Sequence, residues 1–400
     1  MGIFSRRQGK KSHDITTFDP LFIPVSLTKF ISSLGSGDKK LLDYYLKTPE
    51  LQAVINYRAK VFSDMVIKAR HPESKDERPL PELFTHFNPY QNTKTFLAQT
   101  SILKDIFGDV FQHVIGGVTA KQNALGIVNL PPVNAKINTS NRLPFDVTSK
   151  DQLILSYEIE YEGMKYKYDP ESIIHLTDNQ SGFTKETILM GDSKVDALSA
   201  VCDNIIIAYE ARGTVLSNSA IGLLANETKD GLGSLTDISD PEKKELQNAY
   251  KGKYGLSRDK NQLILTNLNL RFQDMSFDMR KLGLIEGLQQ ELRTICNAYS
   301  FPSEIFETQT TFANKEQAQI QLYEIAQTEA NEYLEKLNDY FEFTDIELYA
   351  NYSHVKILQG DMEKKTRMWN TATMALNRAL MDQAITADEY REALIKIGML

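Results

Sequence analysis

The sequence predicts an α+β fold in which long amphipathic helices are combined with a small antiparallel sheet and a separate α/β insert. Between Phe277 and Phe341, apolar residues recur at three- and four-residue steps, which is the spacing of two long helices with one apolar face each. Residues Ile154–Tyr161 alternate as a half-buried strand does. With 400 residues, 42% of them hydrophobic, the chain is long enough for two or three globular domains.

The N-terminal residues 1–37 are interpreted as a flexible arm. They are mostly polar, carry a basic cluster near their start and close on Gly35-Ser36-Gly37. The run that follows does not complete a phosphate-binding loop, because the glycine spacing is wrong and no Ser or Thr follows the lysine. We therefore expect a linker here and no nucleotide site.

Residues 38–190 are predicted to form the first helices and the sheet. A helix over 38–70, in which Pro49 opens a second segment, is followed by a polar connection and a helix over 93–107. Alternation and turn residues then predict the strands of one small antiparallel sheet. These strands are Asp109–Ile115, Ile127–Pro132, Ile154–Tyr161 and, after a turn at Glu162-Gly163, Tyr166–Leu176.

A long helix and a compact insert are predicted in the middle of the chain. The helix covers 191–218, with Asp192 or Ser193 as its N-cap. Residues 220–276 combine strand and helix signals and are interpreted as an α/β insert. Its predicted elements are the strands Ala220–Leu224, Gln262–Thr266 and Leu270–Gln273 and a helix from Asp240-Pro241 to Tyr254.

The two long helices near the C-terminal end are separated by a polar loop. The first covers 277–299, because Pro302 cannot continue a helix. The second is predicted to begin with Asn314 as N-cap, three residues before Gln317, and to end at Phe341. The loop between them must lie at the surface, because a buried loop would leave polar backbone groups unpaired.

The last segment, residues 346–400, is predicted to contain one strand and two helices. The strand is Ile346–Ile357 and the first helix is Asp361–Met381. The second helix is capped by Thr386, with Glu389 three residues later as in a capping box.

Several function classes are excluded by what the sequence lacks. No nucleophile elbow, zinc-protease, Cys-x-x-Cys or Walker A motif is present, so we expect no enzyme, cofactor or metal. The six histidines have no metal-ligand spacing, and His175 is interpreted as structural. Cys202 and Cys296 lie on apolar helix faces and are expected to be buried free thiols in a reducing compartment.

The net charge and the hydropathy pattern restrict the kinds of partner that the protein can have. The net charge of −8 argues against a protein that grips phosphates densely, since such proteins concentrate Lys and Arg. No apolar run approaches the roughly 20 residues that a membrane helix needs.

The segment around the polar loop resembles the portal proteins of tailed bacteriophages, in particular the family of siphophage-type capsids. In that family a hydrophobic helix ends in a Phe-Pro-like mark, a short loop follows, and an Asn-x-Glu-Gln-like mark opens a long helix. Here Phe301-Pro302 matches the first mark, and Phe312–Gln317 matches the second. Weaker matches occur in the same order at Pro49–Met65, at Asp169–Leu176 and at Gly191–Ala197, and the chain ends similarly at Ile385–Glu392.

The resemblance implies a portal-protein fold with named regions. Residues 38–190 would form the first part of the wing, and 220–276 the clip. Residues 191–219 and 277–300 would be stem helices, 301–345 the tunnel loop and long wing helix, and 346–400 the last wing strand and a short helical crown.

The resemblance also implies three sets of functional residues. The candidate DNA-facing residues of the tunnel loop are Thr308, Gln309, Thr310, Thr311, Phe312, Asn314 and Lys315. The candidate subunit-interface residues of the stem are Leu282, Ile285, Leu288, Leu292 and Ile295. The candidate partner contacts of the clip are Lys243, Lys244, Lys251 and Lys253. For Phe312 two roles stay open, a wedge against DNA or an anchor that packs the loop back on the wing.

The function that the resemblance implies is that of a ring, a dodecamer in the virion, at one capsid vertex. Double-stranded DNA would pass through its channel, and its protein partners would be the terminase large subunit, a head-completion protein and the major capsid protein. Assembly would take place in the host bacterial cytoplasm. The alternative is a helical oligomeric scaffold or adaptor protein without a DNA channel.

Overall fold

The fold is seen in a computed structural model, which describes residues 39–116, 121, 124–133, 135–149, 152–161, 164–185, 187–217, 222–226, 241, 244, 270–274, 284–307, 310–382, 386, 390 and 391. The chain divides into two compact units. Unit 1 is built mainly from Ile55–Asp192 and Ile320–Leu400, and unit 2 from Lys40–Val54 and Ser193–Gln319. The predicted arm, residues 1–37, lies outside the described residues.

Helices and short antiparallel strands are mixed along the described chain, which confirms the predicted α+β class. The helices are α1 (Lys39–Lys47), α2 (Pro49–Ser63), α3 (Glu82–Thr85), α4 (Thr93–Phe107), α5 (Lys194–Ala197), α6 (Ser199–Ser217), α7 (Leu284–Ala298), α8 (Phe312–Phe341) and α9 (Lys356–Met381). The strands are β1 (Val66–Arg70), β2 (Glu77–Arg78), β3 (Asp109–Ile115), β4 (Gly126–Leu130), β5 (Lys136–Thr139), β6 (Ile154–Tyr161), β7 (Met164–Tyr168), β8 (Ile173–Thr177), β9 (Gly222–Asn226), β10 (Leu270–Asp274) and β11 (Glu347–Asn351).

The described part of unit 1 contains three small antiparallel sheets, where the sequence predicts one. Their strand orders are β4-β3-β8, β5-β6-β7 and β11-β1-β2. The segment 166–176, expected to close a single sheet, is interrupted because Pro170 opens a short 3-10 turn. As a result, β7 and β8 belong to different sheets.

The sheet β11-β1-β2 shows that the predicted helix over 38–70 is too long. The helix α2 ends at Ser63, and Val66–Arg70 pairs with Glu347–Asn351 instead. Arg70 donates its Nε and Nη2 groups to the carboxylate of Glu347, 277 residues away, at 2.8 and 2.9 Å. A local pattern carries no information about so distant a partner.

The outer edge of β11 is covered by two asparagines of α8. Asn338 accepts from the N–H of Leu348 at 2.9 Å and donates to its carbonyl at 3.1 Å. Asn331 accepts from the N–H of Ala350 at 3.1 Å. These bonds satisfy backbone groups that an edge strand would otherwise leave open to pairing with another chain.

The observed starts of α5 and α9 can be compared with the predicted ones. Ser193 caps α5, because its Oγ accepts from the N–H of Asp196 at 3.2 Å, and the predicted helix over 191–218 is divided into α5 and α6. The strand predicted to reach Ile357 is shorter, and α9 begins at Lys356, five residues before the predicted Asp361.

A buried ionic cluster lies in the described core of unit 1. Arg58 of α2, only 5% exposed, donates to Asp105 of α4 at 3.0 Å and to Glu329 of α8 at 2.8 Å. Burial opposes the charge of Arg58, but the two carboxylates outweigh it and raise the pKa of the guanidinium. The cluster therefore joins three helices of unit 1 at one point.

The core of unit 2 contains the buried faces of α6 and α7. Cys202 and Ile205 of α6 and Ile295 and Cys296 of α7 are fully buried. Both cysteines are free, as expected, and burial raises the pKa of their thiols to about 11 and about 12. In the insert, β9 and β10 form an antiparallel pair.

A candidate channel loop and its helix pair

The end of α7 sets the direction of the loop that follows. Ser300 adopts the left-handed conformation with φ of 51°, and the N–H of Phe301 donates to the carbonyl of Cys296 at 2.8 Å. This closes the helix as a left-handed C-terminal residue commonly does. Pro302 then starts the short 3-10 turn Ser303–Ile305, so the predicted helix end near Tyr299 is confirmed.

The first part of the loop is held against α7 by several contacts within unit 2. Phe306 stacks on the buried Phe301, with ring centroids 5.1 Å apart. Thr310 donates its hydroxyl towards the carbonyls of Glu304 at 3.3 Å and Glu307 at 3.0 Å. These contacts turn the polar loop into a compact bend.

One ion pair joins this bend to α7. Arg293 donates through Nε at 3.0 Å and through Nη2 at 2.8 Å to a single oxygen, Oε1 of Glu307. Their side chains are 54% and 33% exposed, so the pair lies at the surface. The sequence analysis did not identify it, although an acidic residue in a loop beside the exposed face of a helix was a usable signal.

The second part of the loop opens α8, and here the predicted cap is wrong. Thr311, and not Asn314, is the N-cap: its hydroxyl accepts from the N–H of Asn314 at 3.4 Å, and its carbonyl from Lys315 at 3.1 Å. Asn314 is the third residue of the helix. A threonine hydroxyl accepts such a bond as an asparagine side chain does, so the helix begins at Phe312, earlier than expected.

The exposed end of the loop is formed by Phe312. Its side chain is 86% exposed, so within the described chain it does not anchor the loop by packing. Asn314 is exposed and Lys315 is half-buried beside it. Thr308 and Gln309, the other predicted members of this set, lie outside the described residues.

The candidate subunit-interface residues of the stem differ in their burial. Ile295 is fully buried within its own chain, so it belongs to the core of unit 2 and is not available to a neighbouring copy. Leu288 and Leu292 are half-buried. Leu282 and the side chain of Ile285 lie outside the described residues.

The partner helix α6 adds an exposed apolar residue that the sequence analysis missed. Ile207 is 61% exposed, whereas Ile205 is fully buried. Three successive isoleucines, 205–207, span about 200° of a helix, so one face cannot bury all of them. This run was the available signal. Asn204 of α6 donates to Glu291 of α7 at 3.1 Å, a bond that joins the two helices at their surface.

The predicted lysine set of the insert is mostly outside the described residues. Lys244 is described, is helical and is exposed. Lys243, Lys251 and Lys253 are not described.

The described residues can be compared with the requirements of a metal site. No group of three His, Cys, Asp or Glu side chains is placed to hold a metal ion there. His175 of unit 1 is held by an acidic partner: its Nε2 lies 2.8 Å from Oδ1 of Asp109, which also accepts from the N–H of Gly191 at 2.9 Å, and these contacts suit the predicted structural role. None of the helices in this part of the chain is long and apolar enough to cross a membrane.

Comparison with known structures gives several similar folds. The neck of an empty gene transfer agent (GTA) particle computed with C6 symmetry is 15% identical, with a TM-score of 0.62, and covers 94% of this chain and 98% of that chain. The virion of a native GTA particle, at 13% identity, and the neck of a native GTA particle computed with C12 symmetry, at 14%, both have TM-scores of 0.56 and the same coverage. At these identities the likeness shows the fold alone. No curated protein sequence matches this chain.

Comparison with protein families carries more weight. The family described as "Phage portal protein" matches residues 49–394, which is most of the chain. The match covers both units and the candidate loop. It confirms the resemblance that the motifs at Phe301-Pro302 and Phe312–Gln317 indicate, and the chain therefore belongs to the phage portal protein family.

Proposed function

We propose that this protein forms the ring-shaped channel at one capsid vertex of a virion, through which double-stranded DNA is packaged and later ejected. The observation that carries the proposal is the family match over residues 49–394. The role is structural and not enzymatic. In this proposal α6 and α7 are stem helices and residues 220–276 are the clip. Residues 38–190 are wing, 301–345 are the tunnel loop and the long wing helix, and 346–400 are the last wing strand and a short crown.

The exposed apolar side chains of the helix pair support a ring. Leu288 and Leu292 of α7 are only half-buried, and Ile207 of α6 is largely exposed. A neighbouring copy that covers them removes apolar surface from water, which stabilises association at about 25 cal/mol per Å². The neck structures computed with C6 and C12 symmetry support a homo-oligomer, and we propose a dodecamer in the virion.

The loop Ser303–Ala313 supports a path for DNA. Its hydroxyl groups are neutral, and the whole chain has a net charge of −8. Sparse cationic contacts suit a channel in which DNA slides, because each neutralised phosphate adds salt-dependent affinity. We assign brief contacts with DNA to the neutral side chains of Thr308–Thr311, to Phe312 and to Lys315.

The clip and the wing are assigned to protein partners. We propose that Lys243, Lys244, Lys251 and Lys253 contact an acidic surface of the terminase large subunit and later of a head-completion protein. The major capsid protein is the proposed partner of the wing. Reversing the four charges should weaken terminase docking while rings still form, and unchanged packaging would place this contact elsewhere.

The proposed function is tested by the shape and mass of the purified protein. Light scattering should give a mass far above 45.4 kDa, and negative-stain images should show rings with a central hole. A strict monomer, even with scaffold or coat protein present, would contradict the proposal. Small oligomers without a hole would favour the alternative, a scaffold or adaptor protein.

A further inference from the structure

An ion pair ties the candidate channel loop to α7. Both Nε and Nη2 of Arg293 donate to Oε1 of Glu307, at 3.0 and 2.8 Å. We propose that Arg293 is a positioning residue, which fixes the bend of the loop and thereby the place at which Phe312 is presented. The inference rests on the proposed function, because that function assigns this loop to DNA.

The exposed end of the loop has little support of its own. Phe312, Ala313 and Asn314 are all exposed, so the start of α8 has little packing. That turn contains no acidic side chain to interact with the helix dipole, and its cap bond from Asn314 to Thr311 is long at 3.4 Å. The position of Phe312 therefore depends on how firmly the preceding bend is held.

A continuous path of bonds leads from Arg293 to this turn. Arg293 holds the carboxylate of Glu307, and the carbonyl of Glu307 accepts from the hydroxyl of Thr310 at 3.0 Å. Thr310 directly precedes Thr311, the N-cap of α8. Releasing Glu307 thus loosens the residues that hold the cap in place.

The pair has a second effect on the charge that the loop presents. An unpaired guanidinium beside the loop would bind phosphate oxygens strongly and hold DNA that must move. Glu307 neutralises Arg293, so the cation at this surface is used to position the loop. Because both side chains are substantially exposed, salt should weaken this ion pair, which we call the tether. The tether should shift the equilibrium between the loosely held and the firmly held loop towards the held form by about 1.5- to 5-fold.

The tether can be measured with a fluorescent probe attached to Phe312→Cys in the full chain. Labelling is selective, because the native Cys202 and Cys296 are fully buried and burial raises the pKa of both thiols. Time-resolved anisotropy then reports the fraction of loosely held probe. We expect this fraction to rise about 1.5- to 5-fold in Arg293→Ala, and to rise with salt only when Arg293 is present.

Two further variants distinguish positioning from a general loss of structure. The exchanged pair Arg293→Glu with Glu307→Arg should restore the held loop, whereas each single change should not. Glu158→Gln is the matched control, because it breaks the pair with Lys165, also at 2.8 Å and with side chains 69% and 30% exposed, in unit 1. It should leave the probe at position 312 unchanged.

The inference is overturned if Arg293→Ala gives the anisotropy of the unmodified chain, or if the exchanged pair fails to restore it. Negative-stain images of the same preparations separate this outcome from the proposed function. Rings with an unchanged loop signal would reject the tether alone. A salt-sensitive tether in a protein that forms no rings would reject the channel and leave the positioning role standing.

Discussion

At the scale of single residues, charged side chains affect stability according to their burial. Arg58 of unit 1 is almost fully buried between Asp105 and Glu329, whereas Lys47 and Asp43 of α1 form a pair that is more than half exposed. Removing one partner of a buried pair leaves a charge that water cannot solvate. The same change at the surface removes little, because water replaces the lost partner.

The first prediction compares these two sites. Asp105→Asn should lower the free energy of unfolding by about 3 kcal/mol, because Arg58 stays buried with one carboxylate fewer. Asp43→Asn should change it by less than about 0.5 kcal/mol. Urea unfolding followed by circular dichroism measures both. Equal shifts in the two variants would show that Arg58 is solvated in solution.

The second prediction concerns pH and the pair between Arg70 and Glu347. Hydrogen bonds from Arg70, aided by Lys75, outweigh desolvation and lower the pKa of Glu347 from 4.5 to about 2. A lowered folded-state pKa stabilises the protein above pH 4.5, and this contribution is lost as pH falls towards 2. The side chains are 32% exposed, so we expect about 1 kcal/mol at pH 7 after allowing for solvent screening.

The variant Glu347→Gln tests that dependence. It should be less stable than the unmodified chain at pH 7, and the difference should shrink as the pH is lowered from 4.5 to 2. Urea titrations at several pH values measure it. A difference that stays constant with pH would show that Glu347 is not charged in the folded protein, or that its pKa is ordinary.

At the scale of elements, two glycines that look alike in the sequence have opposite roles. Gly108 ends α4 in the left-handed conformation, with φ of 78°, and a Cβ there would lie 2.6 Å from the carbonyl oxygen of Asp192. Gly213 lies within α6, and a Cβ there would meet nothing within 4 Å. One glycine is required by its backbone and its neighbour, and the other only weakens a helix.

The third prediction follows from this contrast. Gly108→Ala should lower the free energy of unfolding by about 2 kcal/mol or more, from left-handed strain together with the close contact. Gly213→Ala should raise it by about 0.5 to 1 kcal/mol, because alanine is the better helix former. Thermal and urea unfolding of both variants give the signs. A stabilising Gly108→Ala would contradict the described turn.

At the scale of the whole molecule, the proposed channel requires that the loop and the ring be separable. The loop is held by hydrogen bonds within it and by an ion pair to α7, whereas the apolar residues proposed for the ring, such as Ile207, lie elsewhere on the helix pair. Thr311 is an exception within the loop, because it caps α8 and its loss would weaken that helix by about 1 kcal/mol.

The fourth prediction is designed around that exception. Replacing Thr308–Thr310 with a Gly-Ser link, while keeping Thr311, should leave rings and capsid incorporation intact. DNA retention or late packaging should fail, because the neutral hydrogen-bonding groups are gone. Microscopy measures rings, and nuclease protection measures the length of packaged DNA. Full-length protected DNA would reject the role of the loop, and loss of rings would show that it is a structural joint.

Local signals in the sequence were enough to predict several elements and the family. Periodic apolar residues and helix-breaking Pro302 are local signals, so the long helices and the end of α7 follow from nearby residues. The serine cap of α5 and the strand Asp109–Ile115 are local in the same sense. The order of short motifs along the chain then indicated the portal family, which the match over 49–394 confirms.

Tertiary structure decided everything that depends on distant partners. Val66–Arg70 became a strand because Glu347–Asn351 lies beside it, although helix was the local expectation. Ile295 was removed from the candidate interface because its own chain buries it. The pairing of Arg293 with Glu307 and the exposure of Phe312 also depend on how the chain folds back. Periodicity records which face of an element is apolar, but only packing decides which neighbour covers that face.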